Sequence, residues 1–300
     1  MNFSTVVTIV GNNLDSSVLN YSMKLIKDLG VSDIKYDILK DDYAVDIFVS
    51  EYSEELVKDI RERLIRIGKY DIFVQKNNRK RKKKLLVADM ESTIIRQEML
   101  EEVAAEFGLR QEVTEITKKG LRGEVSFEDS LSERLNLLRG KGINEFEKLQ
   151  SIISYNKGAE DLIKHMRSYG SKAILVSGGF DIFADKVSRD LGFYKYFANV
   201  LEVIEGKLTG NYIPPLIDAI GKANILKEEA KNLDLKLDEV MAIGDGANDL
   251  DMLNIAGVGV AYYAEDKVKE NVPNQINYTD LQTLLYLQGY KYSELSRVLF

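Results

Sequence analysis

Apolar positions recur along this chain in two rhythms, one of about two residues and one of about 3.6, and the switches between them mark out its elements. Ser4 to Val10 reads as a strand, Ser17 to Leu29 as an amphipathic helix, Ile34 to Leu39 as a second strand, and Tyr43 to Val49 as an alternating third. Ser53 is placed to cap a helix reaching Ile67, because Leu56, Ile60, Leu64 and Ile67 return at helical spacing. Asp71 to Gln75 supplies a fourth strand. The order βαββαβ predicts a ferredoxin-like α+β unit over residues 1–76, with the helices on one face of an antiparallel sheet.

From Leu85 onward strands and helices alternate, which predicts an α/β core: a Rossmann-like, mostly parallel sheet covered on both sides. Strands are expected at Leu85 to Ala88, Ala173 to Val176, Val240 to Ile243 and Val258 to Ala261. A long stretch without strand pattern separates the first two. Within it Met99 to Phe107, Val113 to Leu121, Phe127 to Leu138 and Ile143 to Ile153 are helical in spacing, so a helical-bundle cap over 99–155 is expected to be inserted into a core of 85–98 and 156–300. A lid over a site is the natural use for such an insertion.

Composition narrows the chemistry. Three hundred residues at 45% hydrophobic can bury a large core. No apolar run approaches the roughly 18 residues of a membrane span, and Met1-Asn2-Phe3-Ser4 lacks the basic start of a secretory signal; no membrane partner and a cytoplasmic location are expected. With no cysteine, disulfides, thiolate zinc sites and cysteine nucleophiles are excluded. The single histidine, His165, reads as a helix-surface residue and receives no role. A formal charge of −7 argues against nucleic acid as a partner. The run Arg79-Lys80-Arg81-Lys82-Lys83-Lys84 is the local exception, read as a solvated basic linker spanning 77–84.

Two acidic pairs carry the candidate chemistry. Asp89-Met90-Glu91-Ser92-Thr93 follows the apolar run Leu85 to Ala88, and Gly244-Asp245-Gly246-Ala247-Asn248-Asp249 follows Val240 to Ile243. Both sit past the C-terminal ends of predicted strands, where open α/β sheets place their sites. Four carboxylates drawn together repel one another unless a cation lies among them, and oxygen-only ligands favour Mg²⁺. A magnesium-dependent phosphoryl-transfer site follows, with Asp89 as the attacking carboxylate and Glu91 as general acid and base. Asp245, nearer its strand, is better placed to touch the metal, and Gly244 and Gly246 let that loop pass close. The hydroxyls of Ser92 and Thr93 can bond a phosphate oxygen or local backbone. Ser177-Gly178-Gly179 offers a hydroxyl and open N–H groups to an anion, or is a plain glycine turn. Lys222 begins a helical stretch running on through Ala223 to Lys231, where an ammonium and helix N-terminal N–H groups can share a phosphate.

In the expected lid, Ser126-Phe127-Glu128-Asp129 has the form of a capping box. Phe127, Leu131, Arg134 and Leu138 then share one helix face, which sets a guanidinium in an apolar stripe where it needs an anion. A substrate carboxylate or a structural glutamate would each serve. Glu98 is a first-turn acid of the helix leading into the lid. No G-x-x-x-x-G-K-[ST] occurs, which disfavours a P-loop ATPase.

Taken in order, Asp89-Met90-Glu91-Ser92-Thr93, Ser177-Gly178-Gly179-Phe180-Asp181, Lys222 and Gly244 to Asp249 resemble the four motifs of the haloacid dehalogenase-like (HAD) phosphatases. The likeness runs from 85 to about 290 and takes in Phe197-Ala198-Asn199, Gly206 to Gly210 and Leu285 to Tyr290. It lies nearest to the members that dephosphorylate phosphoserine. The resemblance implies Asp89 as nucleophile, Glu91 as acid/base, and Mg²⁺ on the Asp89 carboxylate, the Glu91 carbonyl and Asp245, with Asp249 and Thr93 in support. It implies phosphate held by Ser177, Gly178 and Lys222 with Asn248 close by, substrate ammonium at Glu98, substrate carboxylate at Arg134, and Phe127 closing over the substrate. Glu91 departs from the aspartate most such enzymes carry, and a related homoserine phosphotransferase group shares this D-x-E, so transfer to an acceptor is the alternative. The first 76 residues resemble amino-acid-binding ACT modules, a shape compatible with ligand sensing or a homodimer, and a catalytically weak amino-acid sensor with the remainder as scaffold is the second alternative.

Overall fold

The computed structural model describes residues 3–121 and 124–296; Met1 and Asn2, at the start of the segment read above for a leader, lie outside the described residues. Strands β1 (Thr5–Val10), β2 (Ile34–Lys40), β3 (Ala44–Val49) and β4 (Asp71–Lys76) alternate with α1 (Ser16–Lys27) and α2 (Glu54–Ile65) in the expected βαββαβ order. They form one sheet, β2-β3-β1-β4, with every pair antiparallel, which is the ferredoxin-like arrangement. Asp15 caps α1 by accepting from the N–H groups of Ser17 and Val18, and Ser53 caps α2 by accepting from Leu56. Val7, Ile9, Val45 and Ile47 pack against Ile26, Ile60 and Leu64 of the helices, while Val10, Ala44 and Phe73 join the larger core of the molecule. Burial on both faces explains why β1 reads as nearly unbroken apolar sequence.

The second sheet contains β5 (Leu85–Ala88), β6 (Lys172–Phe180), β7 (Lys195–Ile204), β8 (Lys207–Ile213), β9 (Val240–Gly244), β10 (Val258–Tyr262) and β11 (Gln275–Ile276) in the order β11-β10-β9-β5-β6-β7-β8. All neighbours are parallel except β7 and β8. Leu86 and Ala88 of β5 enter one apolar cluster and Leu85 and Val87 the other, so this strand is covered on both faces. Between β5 and β6 come α3 (Met99–Glu106), α4 (Arg110–Leu121), α5 (Phe127–Leu137), α6 (Ile143–Leu149) and α7 (Ala159–Ser168). Val103, Leu131, Leu135 and Phe146 from this helical insertion share the cluster that holds Met90 and Phe180, which seats the bundle on the strand ends. Further helices α8 (Asp181–Leu191), α9 (Ala219–Asn232), α10 (Leu250–Ile255), α11 (Asp266–Asn271) and α12 (Thr283–Leu287) cover the sheet. Strand order reverses at β5, with β6 on one side and β9 on the other, and a crevice opens at such a reversal.

Several features differ from the sequence reading. The hairpin of β7 and β8 is absent from the expected strands; its turn, Glu205-Gly206, has positive φ at both residues (49° and 74°), the geometry of a two-residue hairpin. The basic run is solvated only in part: Arg79, Lys82 and Lys84 are exposed, but Arg81 makes a two-pronged ion pair with buried Asp46 at 2.7 Å on each prong, Lys80 pairs with Asp238, Lys84 reaches Glu239 at 2.7 Å, and buried Lys83 donates to the Asp238 carbonyl. His165 is buried rather than on a helix surface, its ring nitrogens lying against the carbonyls of Asp161 and Leu295. Tertiary packing from α7 outward, which local spacing does not encode, encloses it.

Candidate active site

Asp89 directly follows β5 and donates its N–H to the Ile243 carbonyl of β9 at 3.0 Å. That bond sets the two acidic loops side by side. Carboxylate oxygens of Asp89, Asp245 and Asp249 lie within 4.8 Å of one another, and Asp89 and Asp249 are buried. Lys222 is wholly buried and donates to Asp89 and, at 2.7 Å, to Asp249. It reaches them because α9 begins earlier than expected, at Ala219, where Asp218 caps it by accepting from Gly221. The second oxygen of Asp249 accepts from the N–H groups of Asp245 and Gly246 at 3.1 Å, so Asp249 braces the loop while Asp245 faces the cluster. Thr93 donates to Asp245 at 3.0 Å. Gly244 is obligatory here, since a Cβ would stand 2.4 Å from the Asp249 carboxylate.

The electrostatics match this crowding. Burial first, then repulsion from Asp249, raises Asp89 to about 7 against the pull of Lys222. Burial, then Asp89 and Asp249, raises Asp245 to about 9. Burial, then Glu98, raises Glu91 to about 8. Burial alone would lower the Lys222 ammonium, but Asp249 and Asp89 outweigh it and hold the group above the ordinary lysine range. An all-oxygen cluster whose members resist ionising together is a fitting seat for a hard divalent cation.

The remaining expected residues fall around this centre. Glu91 accepts from the N–H of Met99, the first residue of α3, at 2.8 Å, and its other oxygen lies so near Gly179 that a Cβ there would come within 2.6 Å. Ser177 accepts from the N–H of Gly179 at 2.9 Å. Phe127 and Asn248 both approach Gly178, at 3.3 and 3.7 Å from where its Cβ would be. Ser92 donates to Glu98 at 2.6 Å. Thus both hydroxyls of the Ser92-Thr93 pair bond carboxylates. Arg134, on α5, donates to the Ser130 carbonyl and, at 3.5 Å, to Thr117; among the described residues it makes no ion pair, while the charges of Glu91, Glu98 and Glu101 act on it from farther off. Asn199 was not singled out from its own chemistry. It is buried, donates to the Gly178 carbonyl at 2.8 Å and accepts from the Ile217 N–H at 2.7 Å, pinning the glycine end of β6, where the sequence offered a turn as one reading. Its sequence signals were its place in the Phe197-Ala198-Asn199 stretch of the family resemblance and a polar residue inside an otherwise apolar run.

Residues 86–254 match the haloacid dehalogenase-like hydrolase family. The chain belongs to that family. Among proteins similar to this HAD-like hydrolase, a phosphoserine phosphatase from Saccharomyces cerevisiae is 32% identical over 294 residues, 95% of each chain. A phosphoserine phosphatase from Archaeoglobus fulgidus is 37% identical over 76% of this chain, which spans 66% of that protein's length. A solved HAD-family hydrolase from Salmonella enterica serovar Typhi superposes with a TM-score of 0.83 at 25% identity, covering 94% of this chain and 98% of its own. Within this HAD-like hydrolase, the two acidic loops follow the adjacent parallel strands β5 and β9.

Proposed function

We propose that this hydrolase removes phosphate from O-phospho-L-serine through a phosphorylated Asp89. The observation that carries the reading is the convergence of the Asp89, Asp245 and Asp249 carboxylates, with buried Asp89 and Asp249 paired to Lys222, together with a guanidinium, that of Arg134, which makes no ion pair among the described residues. In the first step an Asp89 oxygen bonds to phosphorus, the phosphorus–oxygen bond to serine breaks, and the proton of Glu91 passes to the departing alkoxide. In the second, Glu91 takes a proton from water as its oxygen attacks the aspartyl-phosphate, which frees Asp89 and inorganic phosphate. A Glu91 raised to about 8 starts the cycle in the protonated form the first step needs.

Asp89, Asp245 and the Glu91 carbonyl would hold Mg²⁺, with Asp249 and Thr93 fixing their positions. Bound there, the ion would screen the phosphate and carboxylate charges from one another. Ser177, Gly178, Lys222 and Asn248 would receive the phosphate, Glu98 the ammonium, and Arg134 the carboxylate, with Phe127 closing the space. A zwitterionic substrate needs one anion and one cation beyond the phosphate seat, and Glu98 with Arg134 supplies that pair. The names of the relatives point to the same substrate.

The test is Mg²⁺-dependent phosphate release from phosphoserine, compared with phosphothreonine, phosphohomoserine and sugar phosphates. Asp89→Asn is expected to abolish release, and Arg134→Ala to raise KM more than it lowers kcat. Equal turnover of sugar phosphates would overturn the substrate assignment. Phosphohomoserine appearing when homoserine is added would assign transfer to an acceptor instead.

A further inference from the structure

The chain leaves the core for the cap after Ile95 and returns at Tyr155, and these two residues form an antiparallel bridge. Arg96 donates its N–H to the Ser154 carbonyl and Asn156 its N–H to Ile94, both at 2.9 Å. Gln97 adds side-chain bonds to Ile152 and Ser154 on the returning strand. The cap root is therefore a short ladder.

One side chain joins that ladder to the catalytic loop. The Nδ2 of Asn156 faces three carbonyl oxygens, those of Thr93 at 2.9 Å, Ile95 at 3.3 Å and Ser92 at 3.4 Å. Three acceptors around one atom require that atom to be the amide nitrogen. The loop so held contains the two hydroxyls that fix the site's carboxylates, Ser92 on Glu98 and Thr93 on Asp245. Ser92 sits there at a φ of 54°, a left-handed conformation that a non-glycine residue keeps only when its surroundings impose it.

We propose that Asn156 is a positioning residue that clamps residues 92–95 to the cap root, so that Ser92 and Thr93 meet their carboxylate partners only while that root is seated. The amide touches no reacting group. It acts through the loop, and it makes the placement of Glu98 and Asp245 depend on the same ladder that carries the cap. Only the kinetic arm of its test rests on the phosphatase reading.

The experiment compares the full-length protein with Asn156→Ala, Asn156→Asp and Asn156→Ser by hydrogen–deuterium exchange, without substrate, and by steady-state kinetics with Mg²⁺. Exchange of amides in 90–96 is expected to quicken about tenfold in Asn156→Ala, the scale of one lost hydrogen-bonding hold, with β1 to β4 unchanged. Asn156→Asp has the same size but turns a carboxylate toward three carbonyls, so it should exchange faster still. Asn156→Ser retains a donor, is expected to fall between wild type and alanine, and serves if the alanine variant does not fold. In kinetics, KM is expected to rise more than kcat falls, because Glu98 loses its Ser92 contact. Aspartate behaving like wild type, exchange in 90–96 that does not change, or exchange that quickens equally throughout both sheets would overturn the proposal. If the wild type releases no phosphate from any ester, the phosphatase reading fails while the exchange arm still decides the role of Asn156.

Discussion

At the scale of single residues, the site is governed by how far each charged side chain reaches. Glu91 spans from the β5 loop to the N–H of Met99, a contact that anchors its carboxylate at the start of α3. Glu91→Asp shortens that reach, and misplacing a proton donor by about 1 Å is expected to lower kcat about 10²-fold with KM little changed; a phosphate-release assay reads this, and an unchanged kcat would reject the acid/base assignment. Lys222→Met keeps the apolar stem but leaves Asp89 and Asp249 buried without their cation. Urea unfolding in the absence of divalent metal is expected to register a loss of about 3–5 kcal/mol, the usual cost of breaking a buried pair from one side. Asp89, Glu91 and Asp245 were legible in the sequence because each follows an apolar strand. Lys222 was legible only through the motif order, since nothing beside it in the chain announces that its ammonium is buried on a carboxylate 133 residues away.

Among elements, the cap helix α5 presents both Phe127 and Arg134, and Ser126 fastens its first turn by accepting from Asp129 at 3.0 Å and donating back to that carboxylate. Ser126→Ala is expected to weaken this turn by about 1 kcal/mol, visible as a higher KM for the carboxylate-bearing substrate with kcat nearly unchanged. Equal loss with a substrate lacking the carboxylate would mean that the helix does not present Arg134. Helices and buried strands of strong period were legible here, α2, α3 and α5 among them. The β7–β8 hairpin was not, because buried Asn199 interrupts β7 and the register shifts between Leu201 and Val203, which breaks the alternation that marks a strand.

Across the whole molecule, the ferredoxin-like sheet is held to the HAD-like core through the basic run. Arg81 binds Asp46 and Thr8 of that sheet and, on the other side, the carbonyls of Leu287 and Tyr286. Asp46→Ala is expected to cost about 3 kcal/mol by leaving the guanidinium buried and unpaired, while activity per folded molecule is retained; chemical denaturation paired with the phosphate assay checks both. Burial lowers Lys83 from 10.5 to about 8. Between those values the unfolded chain holds a proton that the folded chain has released, so this contribution penalises folding below about 8 and the penalty fades as pH rises toward 10.5. The stability of the wild type relative to Lys83→Met should therefore improve from pH 7.5 to 10, and a pH-independent difference would count against the buried ammonium. By itself the sequence determined the alternation of strands and helices, the acidic loops at strand ends and the helices of the insertion with the Ser126 cap of α5, because period, caps and motif spacing are properties of neighbouring residues. Tertiary structure alone decided that Arg81 of the basic run ties the ferredoxin-like sheet to the core and that Lys83 is buried, that His165 is enclosed, that Arg134 makes no ion pair among the described residues, and that Asn156 grips the loop 92–95, because each depends on which distant backbone or charge arrives beside it when the sheets pack.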